Sequence, residues 1–299
     1  MQASEKLPSS FDGLRMTDTR DPLVVASRVR ADYLALFPQG DRLFVPQAFG
    51  WAIDCFNGRH PEFQAIDARY HDLEHTLQGA LCLSALLRGH REAGEAPTLD
   101  RHLFELGILA ILFHDTGYLK RRDDTLGTGA KYTATHVNRS CEFAEQFLRT
   151  KGYGLAAIRS VQNMIRCTGM GANVAAIPFQ SDAERVGGFA LGTADLLGQM
   201  AAPDYVDKLP VLYEEFVEAG RFTGNPGAVG FNSVEDLVRK TPGFWDKYVI
   251  PKINVDFRGV FRFLSRPAPS GVNDYLHRIE ANIERIRRLN GVASPTPAT

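Results

Sequence analysis

Apolar residues recur at three- and four-residue spacing through ten stretches of the chain: 24–37, 49–56, 73–90, 103–115, 137–153, 155–168, 187–200, 208–222, 233–249 and 272–289. That period places them on one face of a helix, so the pattern predicts an all-α protein. β-branched alternation is confined to "YVIPKINVDF", where Pro251 interrupts it, and gives little support for a strand. The longest polar interruption is "YLKRRDDTLGTGAKYTAT", residues 118–135. Long loops in compact domains are often functional, so this one is expected to edge an active site. Its glycines, Gly127 and Gly129, lack the adjacent Gly-Lys-Ser/Thr of a phosphate-binding loop.

No break in composition divides the helical run, which predicts one domain over residues 22–291. The polar residues 1–21 and the proline-rich residues 292–299 are expected to be disordered. Hydrophobic residues make up 44% of the 299 and charged residues 23%, with a net charge of -1, so nothing in the charge balance draws the chain to nucleic acid or to an anionic membrane. The N-terminal residues have no basic and apolar tract of the signal-peptide kind, and no run is long enough to span a bilayer. A cytoplasmic protein without membrane or nucleic-acid partners is expected. Cys55, Cys82, Cys141 and Cys167 form no CxxC pair, so neither disulfides nor a thiolate zinc site is signalled.

Three short segments concentrate the chemistry. "YHDLEHTL" begins at Tyr70 and sets His71 and His75 four residues apart; on a helix the two project within about 40° of each other. "ILAILFHDTGY" closes an apolar run with His114 and Asp115, followed by Gly117, a glycine in the place of a helix stop. A carboxylate at the end of a buried helix is costly unless paired or bound to a cation. "GGFALGTADLLGQM" holds Asp195 as its only charge and asks the same question. Mixed imidazole and carboxylate donors suit a divalent ion, Zn, Mn, Fe or Mg.

The order H…HD…D on successive helices, carried by "YHDLEHT", "LFHDTGY" and "TADLLGQ" over about residues 65–200, resembles the HD superfamily of metal-dependent phosphohydrolases. The resemblance implies an HD-type helical bundle with additional C-terminal helices. It makes His75, His114, Asp115 and Asp195 the metal ligands, with Asp115 bridging where two metals are bound and His136 as a further ligand to the second. The ion would be Mn, Mg, Zn, Fe or Ni, one or two per chain. "YHDLEHT" is also similar to the Tyr-His-Asn motif of cyclic-nucleotide phosphodiesterases, which gives His71 the role of proton donor to the leaving oxygen. Asp72 stands where those enzymes have asparagine, and Tyr118 follows the His-Asp pair where they have a further histidine.

The expected activity is cleavage of a small-molecule phosphoester, a phosphodiester or nucleotide, by metal-activated water, with His71 and Asp115 as catalytic residues. Lys120, the first cation beyond the ligands, with Arg121, Arg122 and Lys131, and Gln199, one turn after Asp195, are the expected substrate contacts. The same resemblance extends to HD-type di-iron oxygenases, which would require iron and His136. A non-catalytic sensor of metal or nucleotide is a third alternative. His60, His90, His102 and His277 lie in polar company and are expected at the surface.

Overall fold

The computed structural model of the chain describes residues 17–225 and 230–291. Among them it has ten α-helices and no strand: α1 (Pro22–Leu36), α2 (Phe44–Phe56), α3 (Leu73–Ala93), α4 (Arg101–Phe113), α5 (His136–Thr150), α6 (Leu155–Ile165), α7 (Asp182–Met200), α8 (Tyr205–Phe222), α9 (Val234–Phe244) and α10 (Asp274–Leu289). Each of the ten apolar stretches in the sequence has its helix, and the fold is all-α. Residues 1–16 and 292–299, expected to be disordered, lie outside the described residues. Residues 17–21 correct that expectation, since Thr19 donates to Glu74 at 3.1 Å and Asp21 caps α1.

Side-chain caps set the helix starts. Asp72 accepts from the backbone N–H of His75, Asp100 from that of Leu103, and Ser181 from that of Glu184. Helix α3 ends at Gly94, which adopts the left-handed conformation with φ +67°. Apolar residues surround α3 on nearly every side, as expected of a central helix. It packs most extensively on α7 and also meets α1, α4 and the 3-10 turn Val260–Leu264. The buried hydrophobic side chains form one cluster that runs through all of these.

Two glycines set how closely the central helices approach. A Cβ on Gly198 of α7 would lie 2.9 Å from the carbonyl oxygen of Gln78 on α3, and one on Gly79 of α3 would lie 3.0 Å from Ile111 of α4. Gly198 sits three residues after Asp195, and Gln78 three after His75, so the tight crossing lies one turn from the candidate ligands.

The stretch around "YVIPKINVDF" is helical. Residues after α9 continue as two wide π-type turns, Trp245–Val249 and Lys252–Asp256, flanking Pro251. Such turns often accompany functional sites, and here they carry Tyr248 and Lys252 to the wall of one cavity. No helix among the described residues is long and apolar enough to cross a membrane.

Candidate metal centre

Three helices converge on one point. The first turn of α3 supplies His75, the C-terminal end of α4 supplies His114 and Asp115, and the middle of α7 supplies Asp195. His75 Nε2 lies 3.2 Å from Asp115 Oδ2 and 3.2 Å from Asp195 Oδ1; His114 Nε2 lies 3.3 Å from each of the same two oxygens. Donor atoms of His75, His114 and Asp195 all fall within 4.8 Å of one another. Ligands about 2.1 Å from a shared ion are separated by about 3.0 Å at an octahedral edge and about 3.4 Å at a tetrahedral one. The observed separations lie between these values.

Tautomers sharpen the fit. His114 Nδ1 donates to the Ile111 carbonyl at 2.7 Å, which leaves Nε2 of the neutral ring as a bare lone pair facing two carboxylates. Neither His114 Nε2 nor Asp115 Oδ2 has a hydrogen-bond partner, although both are buried. A buried lone pair set against two carboxylates calls for a cation, either a proton or a metal ion. Proton affinities respond accordingly. Burial opposes a charge on His75, but Asp115 and Asp195 override it and push its pKa up to about 10. His114 moves the same way, with burial again outweighed by Asp115 and Asp195. Burial would raise Asp115 and Asp195, yet the two imidazoles hold both well below the usual carboxylate range. The donor atoms of His75, His114 and Asp195 lie close enough together that they could hold a metal ion.

His136 opens α5 and turns its ring toward the same carboxylate. Nδ1 donates to the Thr133 carbonyl at 2.6 Å, and Nε2 stands 3.9 Å from Asp115 Oδ1, the oxygen not shared by His75 and His114. Burial keeps this imidazole neutral by lowering its pKa, against the pull of Asp115. Two acceptors facing each other at that distance leave room for a second ion between them.

Gly117 holds α5 in place. Its Cβ would lie 2.0 Å from the carbonyl oxygen of His136, its N–H donates to Ser140 at 2.8 Å, and its carbonyl accepts from Arg139 at 2.7 Å. Its φ is not left-handed. The glycine expected as a helix stop is needed for close approach of backbone to backbone.

His71 corrects the helical-face argument, because α3 begins at Leu73, after the Asp72 cap. Two other groups place its ring 5.6 Å from that of His75. Its Nδ1 lies 2.6 Å from Glu215 Oε2 on α8, and its face stacks on Tyr118 at 4.4 Å and 15°. Glu215 also accepts from the Tyr70 N–H at 2.7 Å. Burial would raise the pKa of Glu215, but His71 and the backbone donors hold it below its ordinary value. Tyr118 also stacks on His136 at 4.8 Å, and burial beside Asp115 and Glu215 keeps it a neutral phenol.

The expected substrate contacts fare differently. Gln199 lines the cavity one turn after Asp195, but its amide is engaged at both ends, accepting from the Tyr70 hydroxyl at 2.6 Å and donating to the Asp195 carbonyl at 2.9 Å. Lys120 is not brought to the cavity: it is buried, paired with Asp67 at 2.8 Å and donating to the Gly127 carbonyl at 2.6 Å. Lys131 is bound to Asp124, Arg121 to Glu62, and Arg122 to the carbonyls of Gly58, His60 and Pro61. The cations of the 118–135 loop fasten the loop, which reaches the site through Tyr118 and Thr133.

A cavity of about 380 Å³ opens from the cluster, with His71, Asp115, His136 and Asp195 at its polar end. Sequence reasoning missed Glu215 and the hydrophobic wall opposite. Glu215 sits among Leu209, Leu212 and Phe216 on one face of α8, a carboxylate in an apolar stripe, and its neighbours Glu214 and Glu218 mask that signal.

No curated protein matches the chain. A family model described as Npun_R2479-like matches residues 60–260, about two thirds of the chain and all of the site from Tyr70 to Lys252, so the chain belongs to the Npun_R2479-like family.

Proposed function

We propose that the chain is a metal-dependent phosphohydrolase of the HD type, with His75, His114, Asp115 and Asp195 as the metal ligands. The observation that carries the reading is the convergence of two imidazole nitrogens and two carboxylates, from three helices, at the polar end of a cavity. A divalent ion held there would acidify water and draw charge from a phosphoryl oxygen.

The chain's own groups divide the remaining work. Asp115 presents Oδ2 to the His75–His114 pair and Oδ1 toward His136, which supports it as the carboxylate that would be shared if a second ion were held. Glu215 accepts from His71 Nδ1–H and Tyr118 supports the ring face, which fixes the imidazole and leaves Nε2 to exchange a proton. His71 Nε2–H then donates to the departing oxygen.

A second reading, an HD-type di-iron oxygenase, draws support from the 3.9 Å gap between His136 Nε2 and Asp115 Oδ1. Metal content of protein purified without added metal or chelator separates the two. Two irons per chain with oxygen uptake would replace the hydrolase reading, whereas Mn, Mg, Zn or Ni with hydrolysis of a phosphoester supports it. Asp115→Ala should purify without metal; full occupancy in that variant would sink the ligand assignment.

A further inference from the structure

The cavity beside the cluster has its imidazoles and carboxylates at one end and an apolar wall at the other. Its wall is formed by Leu196 of α7, Leu209, Leu212 and Phe216 of α8, Phe231, and Phe244 at the end of α9. Phe216 and Phe231 stack at 6.0 Å and 16°, and Phe244 stacks on Tyr248 at 5.1 Å and 15°. All but Leu209 are only partly buried, so the cavity presents them as available surface.

Lys240 and Lys252 are the cations among the lining residues, and both are engaged, although Arg239 shares the carboxylate that Lys240 meets. Lys240 pairs with Asp236 at 2.8 Å and donates to the Gly230 carbonyl at 3.1 Å. Lys252 pairs with Asp256 at 2.8 Å and donates to the Ala172 carbonyl at 3.0 Å. Each lining cation thus already holds a carboxylate and a carbonyl, and Lys120, Arg121, Arg122 and Lys131 are held in the loop away from the cavity. A polyphosphate or a second phosphodiester linkage would have to draw Lys240 or Lys252 from these contacts or lie uncompensated against the apolar wall, at a desolvation cost.

From this asymmetry we infer that the substrate is a compact molecule with one anionic head and an apolar, preferably aromatic, body. The head lies at the metal cluster and the body lies against the α8–α9 wall. Nucleoside polyphosphates and oligonucleotides should bind more weakly than such a molecule. The placement of the head rests on the proposed function; the placement of the body rests on the wall alone.

The test is equilibrium binding by calorimetry to the full-length protein with added Mn, using three non-hydrolysable ligands of equal head charge: methylphosphonate, phenylphosphonate and 1-naphthylmethylphosphonate. Adenosine 5′-(β,γ-methylene)triphosphate and uncharged 1-naphthylmethanol complete the set. Affinity should rise about tenfold or more from methyl to phenyl and again to naphthylmethyl, as expected when a ring is buried. Leu212→Ser and Phe231→Ser should each reduce that rise, leaving methylphosphonate unaffected in both. Equal binding of the three phosphonates, tighter binding of the triphosphate analogue, or binding of no ligand would overturn the inference. If the rise appears and 1-naphthylmethanol binds, but no aryl phosphoester is cleaved, the apolar-body assignment stands and the phosphohydrolase reading falls. If esters are cleaved without any preference for the aryl body, the reverse holds.

Discussion

At the scale of single residues, two carboxylates organise the candidate site: Asp115 faces His75 and His114, and Glu215 holds His71. His75, His114, Asp115 and Asp195 are polar residues where an apolar helical pattern offers no reason for them, and the structure brings all four together. Glu215 carried a weaker form of the same signal and meets His71 across 144 residues of sequence. Its role can be measured: Glu215→Gln should keep metal content while lowering kcat about 10- to 100-fold and changing the shape of the pH profile. Unaltered kcat would remove it from the proton path.

His90 shows how polar neighbours in sequence mislead. It was expected at the surface, yet it is buried, edge-on to Phe263 at 4.6 Å. Burial lowers its pKa from the ordinary 6.5, so the unfolded chain takes the proton first as pH falls. Its stabilising share is complete above about 6.5 and is lost as pH drops through the lower folded value. His90→Asn should therefore lose less stability than the parent between pH 7.5 and 5.5, read as the urea midpoint. Parallel losses in the two proteins would show that His90 does not titrate with folding.

At the scale of elements, helix existence and order followed from the 3.6-residue period, whereas the approach distances that build the site did not. Gly117 reads in sequence as a helix stop, but its hydrogen is required by the His136 carbonyl packed against it. Gly198 reads as one small residue among several in α7, but α3 leaves no space for a Cβ there. Both constraints arise from a partner helix that sequence periodicity cannot see. Gly198→Leu should push α7 from α3, costing about 1–3 kcal/mol by overpacking and drawing Asp195 away from His75. The expected result is a lowered melting temperature together with reduced metal content. Loss of stability with full metal occupancy would show that the crossing and the cluster are independent.

The whole molecule joins three helices of one core through the cluster, since α3, α4 and α7 each contribute a donor. An ion bound by that set exists only in the folded chain, so it should stabilise the fold by mass action, about 2.7 kcal/mol at a concentration one hundred times the Kd. For a chain of this size a stabilisation of that order corresponds to a rise of roughly 5 °C in Tm. Chelation followed by dialysis should lower Tm by about that amount, readdition of the native metal should restore it, and Asp115→Ala should not respond to either. Because unmetallated His75 holds its proton up to about 10, metal must displace that proton on binding. The restored Tm should therefore demand more metal at pH 6 than at pH 8. A Tm indifferent to chelator in the parent protein would mean that protons alone satisfy the two carboxylates, and that the convergence of α3, α4 and α7 is a buried hydrogen-bonded network.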